Sequence, residues 1–191
     1  MNKHQITHTF LPPTALKMLR FLEKPQQRWS QLKLRSIASG GETLGKELLD
    51  WGRDNLNLII NEFYGQTECN MIVSSCAKKF APKSGSMGKA VPGHHVTIIN
   101  SAGEPVAAGE EGDIAVLKPD PVMFLYYWND PEATKQKFNG EYLLTGDRGV
   151  MDEDSYFFFI GRDDDVITSA GYRIGPGPIA VSYTHLRAHE T

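Results

Sequence analysis

A chain of 191 residues is long enough for one sizeable core or one and a half small ones. It is 40% hydrophobic and 23% charged, with a net charge of −3 and no basic block, which excludes the electrostatic footprint of a nucleic-acid or anionic-membrane binder. No apolar run approaches the ~20 residues that span a bilayer and the polar first ten residues hold no signal-peptide core, so a soluble, cytoplasmic protein is expected.

In chain order, Leu11-Pro12-Pro13-Thr14 reads as a loop ending in a helix N-cap, followed by an apolar-periodic stretch over residues 15–22. Residues 32–38 alternate at period two and predict a strand that ends at Gly40-Gly41. Over residues 43–55, Leu44, Leu48 and Trp51 share one helical face. Residues 58–64 predict a second strand, stopped by Gly65. Strand, helix, strand over about 30 residues is the size of a parallel βαβ unit. Ligands gather at the C-terminal ends of such strands, here Gly40-Gly41-Glu42-Thr43 and Tyr64-Gly65-Gln66-Thr67-Glu68.

After residue 80 short β-like runs alternate with turn chemistry: 96–99, 113–117, 142–144 and 156–160. A small antiparallel sheet or distorted barrel is expected there. Residues 131–138 predict a short helix with Asp130 as cap and Pro131 at its first position. Two parallel strands cannot cover both faces of a sheet, so earlier strands are expected to precede this chain. From Val181 onward the sequence continues no earlier pattern and reads as a non-native tail. Cys69 and Cys76 have no partner at metal-ligand spacing and read as ordinary thiols. His4, His8, His94 and His95 form no ligand set and read as surface or loop residues.

Three clusters carry candidate chemistry. In Tyr64-Gly65-Gln66-Thr67-Glu68 an aromatic can stack on a base, a hydroxyl can donate to phosphate and a carboxylate can hold Mg²⁺; the alternative is a routine turn after a buried strand. In Thr145-Gly146-Asp147-Arg148-Gly149 the carboxylate can accept both protons of a vicinal diol, or else bond its own backbone in a tight turn. In Gly161-Arg162-Asp163-Asp164-Asp165 and the Gly/Pro-rich segment after it, a domain joint competes with a solvated loop.

In this order the clusters resemble the motif series of the adenylate-forming, AMP-binding superfamily. Gly40-Gly41-Glu42-Thr43-Leu44 is similar to its adenine loop, and Tyr64-Gly65-Gln66-Thr67-Glu68 to its Tyr-Gly-x-Thr-Glu motif. Residues 142–147 resemble the Thr-Gly-Asp motif and residues 161–165 the hinge motif. Gln66, Gly85-Ser86-Met87-Gly88-Lys89 and Gly171-Tyr172-Arg173-Ile174-Gly175-Pro176 look most like the short- to medium-chain acyl-CoA synthetases. The resemblance covers roughly residues 5–180.

The fold this implies is α/β: the C-terminal part of the family's large N-domain, ending at the hinge to its small C-terminal domain. A partial α/β AMP-binding subdomain is expected over 1–80, an antiparallel β subdomain over 81–163, the hinge and the start of the C-terminal domain over 164–180, and the non-native tail over 181–191.

The resemblance also implies roles. Tyr64 stacks on adenine within a strand-end site that includes Gly65 and Gln66, while Gly41, Glu42 and Thr43 line its other side. Thr67 contacts the α-phosphate and Glu68 holds Mg²⁺. Asp147 and Arg162 bind the ribose hydroxyls, Asp164 is the hinge pivot, Gly171 borders the pantetheine tunnel of CoA, and Arg173 helps hold the phosphate end. Cys69, Asn70 and Met71 read either as a border of the acyl pocket or as helix core.

The implied reaction joins a small carboxylic acid to ATP, giving acyl-adenylate and pyrophosphate, then transfers the acyl group to CoA. The family's phosphate loop and its late C-terminal lysine are not found in these residues, so the chain alone is expected to be inactive. Two other readings stay open: an enzyme that loads a carrier protein, and a nucleotide-binding module without turnover.

Overall fold

The computed structural model describes residues 2–22, 32–162, 167–169 and 172–174. The chain divides into two compact units, Met1–Gly93 and His94–Thr191.

The first unit is built on a mixed five-stranded sheet in sequential order: β1 (His8–Phe10), β2 (Ser36–Ser39), β3 (Ile60–Gln66), β4 (Asn70–Ser74) and β5 (Lys89–Ala90). The first three strands run parallel, and β4 and β5 complete the sheet antiparallel. The predicted βαβ unit is present as β2, helix α2 (Lys46–Leu56) and β3. Its sheet is larger than the two strands legible in sequence, because β1 and β4 are too short and too mixed in polarity to announce themselves by period.

Helix α1 (Pro13–Arg20) differs from its expected start. Pro12 occupies the cap position without a side-chain bond, Pro13 opens the helix, and Thr14 lies inside the first turn. Proline suits that position because its missing N–H has no intrahelical partner there anyway. Helix α2 also starts later than the periodicity implies, at Lys46, so Leu44 is buried from the loop ahead of the helix. It ends where Asn57 adopts the left-handed conformation and the N–H of the next residue, Leu58, donates to Gly52 O at 3.1 Å. The apolar faces of α1, β2, α2 and β3 meet in one cluster of Leu16, Ile37, Leu44, Leu48, Trp51 and Ile60. Arg20 of α1 is ion-paired with Glu47 of α2 on the outside of that cluster.

The second unit contains a curled antiparallel half-barrel sheet in the order β10-β9-β7-β6, formed by β6 (Val96–Ile99), β7 (Glu111–Leu117), β9 (Tyr142–Met151) and β10 (Phe157–Arg162), with β8 (Phe138–Asn139) paired to β9. All four predicted runs fall on strands, although β9 is far longer than its predicted three residues. Its inner face carries Ile98, Ile114, Val116, Leu143 and Phe157, each at most 1% exposed. Helix α3 (Pro131–Gln136) has the predicted cap: Asp130 Oδ1 accepts from Ala133 N at 2.9 Å. A two-stranded ladder pairs β11 (Ile167–Ser169) with β12 (Tyr172–Ile174). His94 lies in a loop, as expected, but its ring is not a free surface group: Nδ1 sits 2.7 Å from Asp120 Oδ2, both side chains largely covered.

Candidate functional site

In the first unit the structure brings the two strand-end segments side by side. Strands β2 and β3 are parallel neighbours with Ser39 opposite Glu62, so residues 40–44 and 64–68 both leave the C-terminal end of the same sheet. That is where open α/β sheets bind ligands.

The Tyr64–Glu68 segment is not the simple post-strand turn that Gly65 suggested. Strand β3 runs on through Gly65 to Gln66, residues 67–69 turn, and the chain returns as β4, which places Asn70 and Met71 on a strand rather than in a helix core. The pairing slips between Tyr64 and Gly65, a bulge. Such bulges re-aim side chains at the rims of sites. Cys69 N donates to Gln66 O at 3.2 Å, and Asn70 closes the turn at φ 51°. Glycine is required at 65 by close approach: a Cβ there would lie 1.5 Å from Asn70 O. Tyr64, Gln66 and Glu68 are half-buried and Thr67 is exposed. Cys69 is fully buried, so of the three residues read as a possible pocket border it faces the core.

Gly41, Glu42 and Thr43 are exposed on the companion loop. Glu42 is engaged from α1, accepting from Thr14 Oγ1 at 3.1 Å and lying 3.8 Å from Lys17 Nζ. The loop is held from below as well: the Leu44 N–H donates to Glu62 Oε1 at 3.1 Å. Glu62 is 5% exposed, and burial pushes its carboxyl up to about 7, with the Leu44 N–H pulling the other way. Ser75 Oγ ties the backbone of the same residue, accepting from Glu62 N at 2.6 Å and donating to Glu62 O at 3.2 Å. The hydroxyl of Ser39, fully buried at the end of β2, has no hydrogen-bond partner among the described residues. Sequence reasoning missed this buried polar layer. Its one visible signal was a carboxylate standing inside the apolar run Leu58-Ile59-Ile60-Asn61-Glu62-Phe63.

In the second unit Asp147 and Arg162 are register partners across β9 and β10, so the two residues given one shared role in sequence do meet on adjacent strands. Residues 145–149 are not a turn between strands. They lie within β9, where Thr145, Gly146 and Asp147 bulge out opposite Ile114 of β7. Gly146 supplies the φ of +82° that this detour requires. Thr145 Oγ1 pins the bulge, donating to Ile114 O at 2.7 Å and accepting from Asp147 N at 3.2 Å. Arg148 turns to Glu111 and Asp113 at 2.7 and 3.2 Å. Asp164 and Gly171 lie outside the described residues, and Arg173 falls on β12 opposite Thr168.

Among the described residues no three His, Cys, Asp or Glu side chains gather into a metal site. Glu68 is a half-buried carboxylate at this sheet end, and one carboxylate with phosphate oxygens and water completing the shell is a donor set that would suit Mg²⁺.

Comparison with known proteins decides the family. The pattern of the AMP-binding enzymes matches residues 1–128. This chain belongs to that family. The matched segment contains both strand-end loops, so the adenylate-forming resemblance of the motifs is borne out.

Among its relatives, the uncharacterized acyl-CoA ligase YtcI of Bacillus subtilis is 40% identical over 176 residues, covering 92% of this chain and 33% of that protein. The human mitochondrial acyl-coenzyme A synthetase ACSM4 is 42% identical over 179 residues, covering 92% of this chain and 30% of that protein. The chain thus spans about a third of the length of these relatives. The solved O-succinylbenzoate coenzyme A synthetase MenE of Bacillus subtilis, in complex with ATP and magnesium, superposes with a TM-score of 0.78 at 28% identity, over 91% of this chain and 35% of that one. Members come from a bacterium and from mitochondria, so the family spans compartments. Among the described residues no helix is long and apolar enough to cross a membrane.

Proposed function

We propose that this AMP-binding chain is the nucleotide-holding portion of an acyl-CoA synthetase, which joins a small carboxylic acid to ATP and then passes the acyl group to CoA. The observation that carries the reading is the pairing of β2 with β3, which sets the Gly41-Glu42-Thr43 loop beside Tyr64-Gly65-Gln66-Thr67-Glu68 at one sheet end. Acyl-CoA ligase and synthetase relatives at 40% and 42% identity support the reaction class.

In this reading the Tyr64 ring stacks on adenine, with the exposed backbone of Gly41 to Thr43 on its other side. Thr67 Oγ1 donates to the α-phosphate, and Asp147 with Arg162 holds the ribose diol. Glu68 would hold Mg²⁺, which when bound neutralises charge on the phosphates. Fixed donors at the strand ends orient the α-phosphorus toward the incoming carboxylate, so no protein nucleophile is called for. Asp164 acts as the pivot between adenylation and thioester formation, Gly171 leaves room for the pantetheine arm, and Arg173 steadies the phosphate end. The compartment is proposed to be cytoplasmic.

The test is acyl-adenylate formation by the full-length protein, followed as pyrophosphate exchange with short- and medium-chain acids. Asp147→Ala should weaken ATP use by about 1–3 kcal/mol, since a bound diol loses a charged acceptor. Unchanged ATP kinetics would refute the ribose role. Gly171→Leu should spare exchange and block thioester formation, and equal loss of both would refute the tunnel role. The 191 residues alone, a third of a relative's length, are proposed to support no exchange above blank.

A further inference from the structure

The adenine-side loop is exposed, yet it is fastened at three separate points. At its start, Gly40 approaches β3 so closely that a Cβ would lie 2.7 Å from Phe63 O and 2.9 Å from Phe63 Cε2. At its middle, Glu42 is held by Thr14 and Lys17 from α1. At its end, Leu44 is completely buried and its N–H is received by the carboxylate of Glu62.

The third fastening is the unusual one. A buried carboxyl is costly where, as among the described residues here, no cation pairs with it, and burial has raised this one to about 7. An amide would accept the same N–H without the penalty. Glu62 also sits two residues before Tyr64 on the strand whose end carries the second loop. Its backbone is clamped in turn by Ser75 at the end of β4. One side chain therefore links the register of β3 to the height of the loop beside it.

We propose that Glu62 is a positioning residue for the nucleotide: by receiving the Leu44 N–H it fixes the distance between the Gly41–Thr43 backbone and the Tyr64 ring, the two walls of the adenine slot. The proposal rests on the nucleotide-holding reading above. A slot of fixed width favours a planar base, because neither wall has to be ordered when the base enters. Loosening the loop should weaken ATP and spare the carboxylic acid, since in this reading the loop is a wall of the nucleotide slot.

The experiment uses the full-length protein with Glu62→Gln, which keeps an acceptor for Leu44, and Glu62→Met, which keeps the volume and removes the acceptor. KM for ATP and KM for the acid are measured separately by pyrophosphate exchange. Glu62→Met should raise KM for ATP about tenfold, the loss expected of one buried hydrogen bond. KM for the acid should stay within about twofold, and Glu62→Gln should restore KM for ATP to within about twofold of wild type. If Glu62→Met does not fold, Glu62→Asp takes its place: the same charge, withdrawn from Leu44 by one methylene, should also raise KM for ATP alone.

Equal rises in both KM values, or identical behaviour of the Gln and Met variants, would overturn the positioning role while leaving the synthetase reading intact. A wild-type protein that forms no acyl-adenylate with any acid would sink the synthetase reading, and the role of Glu62 with it.

Discussion

The two units expose their chemistry in different ways. In Met1–Gly93 the candidate residues sit at the ends of parallel strands, and their placement depends on polar groups buried beneath them, Glu62 and Ser75. In His94–Thr191 the candidate residues sit within a strand, where a three-residue bulge takes Asp147 out of its pairing with β7 and one hydroxyl, that of Thr145, pins it. A strand-end site borrows its geometry from several elements, so damage to it spreads. A bulge is nearly self-contained, so damage to it should stay local.

The sharpest way to break this contrast is to add one methyl group to each region. At Gly65 a Cβ would collide with Asn70 O at 1.5 Å, so the β3–β4 turn must come apart; Gly65→Ala should cost on the order of 4 kcal/mol or more. At Gly146 a Cβ meets nothing within 4 Å and the penalty is that of a positive φ alone, about 1–2 kcal/mol. Urea unfolding of the full-length variants checks both. Equal losses would mean that the bulge is as interdependent as the strand end.

The next largest effect sharpens the role of buried charge. Folding raises the Glu62 carboxyl from 4.5 to about 7, so the native state binds that proton more tightly than the unfolded chain does. The contribution of Glu62 is then fully present below pH 4.5, declines as the pH rises toward 7 and is lost above it. Glu62→Gln has no such proton. Relative to wild type, the Gln variant should therefore gain on the order of 3 kcal/mol between pH 4.5 and pH 8. Denaturation midpoints of the pair measured across that range give the difference directly. Parallel curves would show that the carboxyl titrates as an ordinary exposed acid.

Thr145→Val is the counterpart in the second unit. It keeps the shape and removes the hydroxyl that bridges Ile114 O and Asp147 N, so about 1–2 kcal/mol should be lost at every pH. ATP use should fall as well, because the bulge that holds Asp147 clear of β7 is no longer pinned. Normal ATP kinetics with lowered stability would leave the bulge as a structural feature only.

The same division explains what could be read from the sequence. The antiparallel unit was legible because its short β-like runs are bracketed by turn residues, as at Ser101-Ala102-Gly103 and Gly109-Glu110-Glu111-Gly112. What failed there was the tight-turn alternative for Thr145-Gly146-Asp147, since a glycine beside an aspartate signals a bulge and a turn equally. In the first unit the βαβ unit was visible, but β1 and β4 were not, and β3 did not stop at Gly65. That glycine answers a neighbour's carbonyl five residues on, a contact no local pattern records. The motif order identified the family, whereas the layer that supports those motifs is written in single residues, Glu62 and Ser75, whose meaning appears only when β3 and β4 are paired.

Helix caps give the smallest test, and a clean one, because the sequence marked two and the structure keeps one. Asp130 accepts from Ala133 N at 2.9 Å and satisfies a donor that the first turn of α3 would otherwise leave open. Asp130→Ala should cost about 1 kcal/mol. Thr14 lies inside α1 and instead donates to Glu42 on an exposed surface, so Thr14→Ala should cost less than about 0.5 kcal/mol. What Thr14→Ala should change is the hold on the Gly41–Thr43 loop, seen as faster amide exchange at residues 41–43 with little change in unfolding. A loss at Thr14 matching that at Asp130 would mean that α1 needs its hydroxyl as a cap after all, and that Pro12 and Pro13 do not suffice to start the helix.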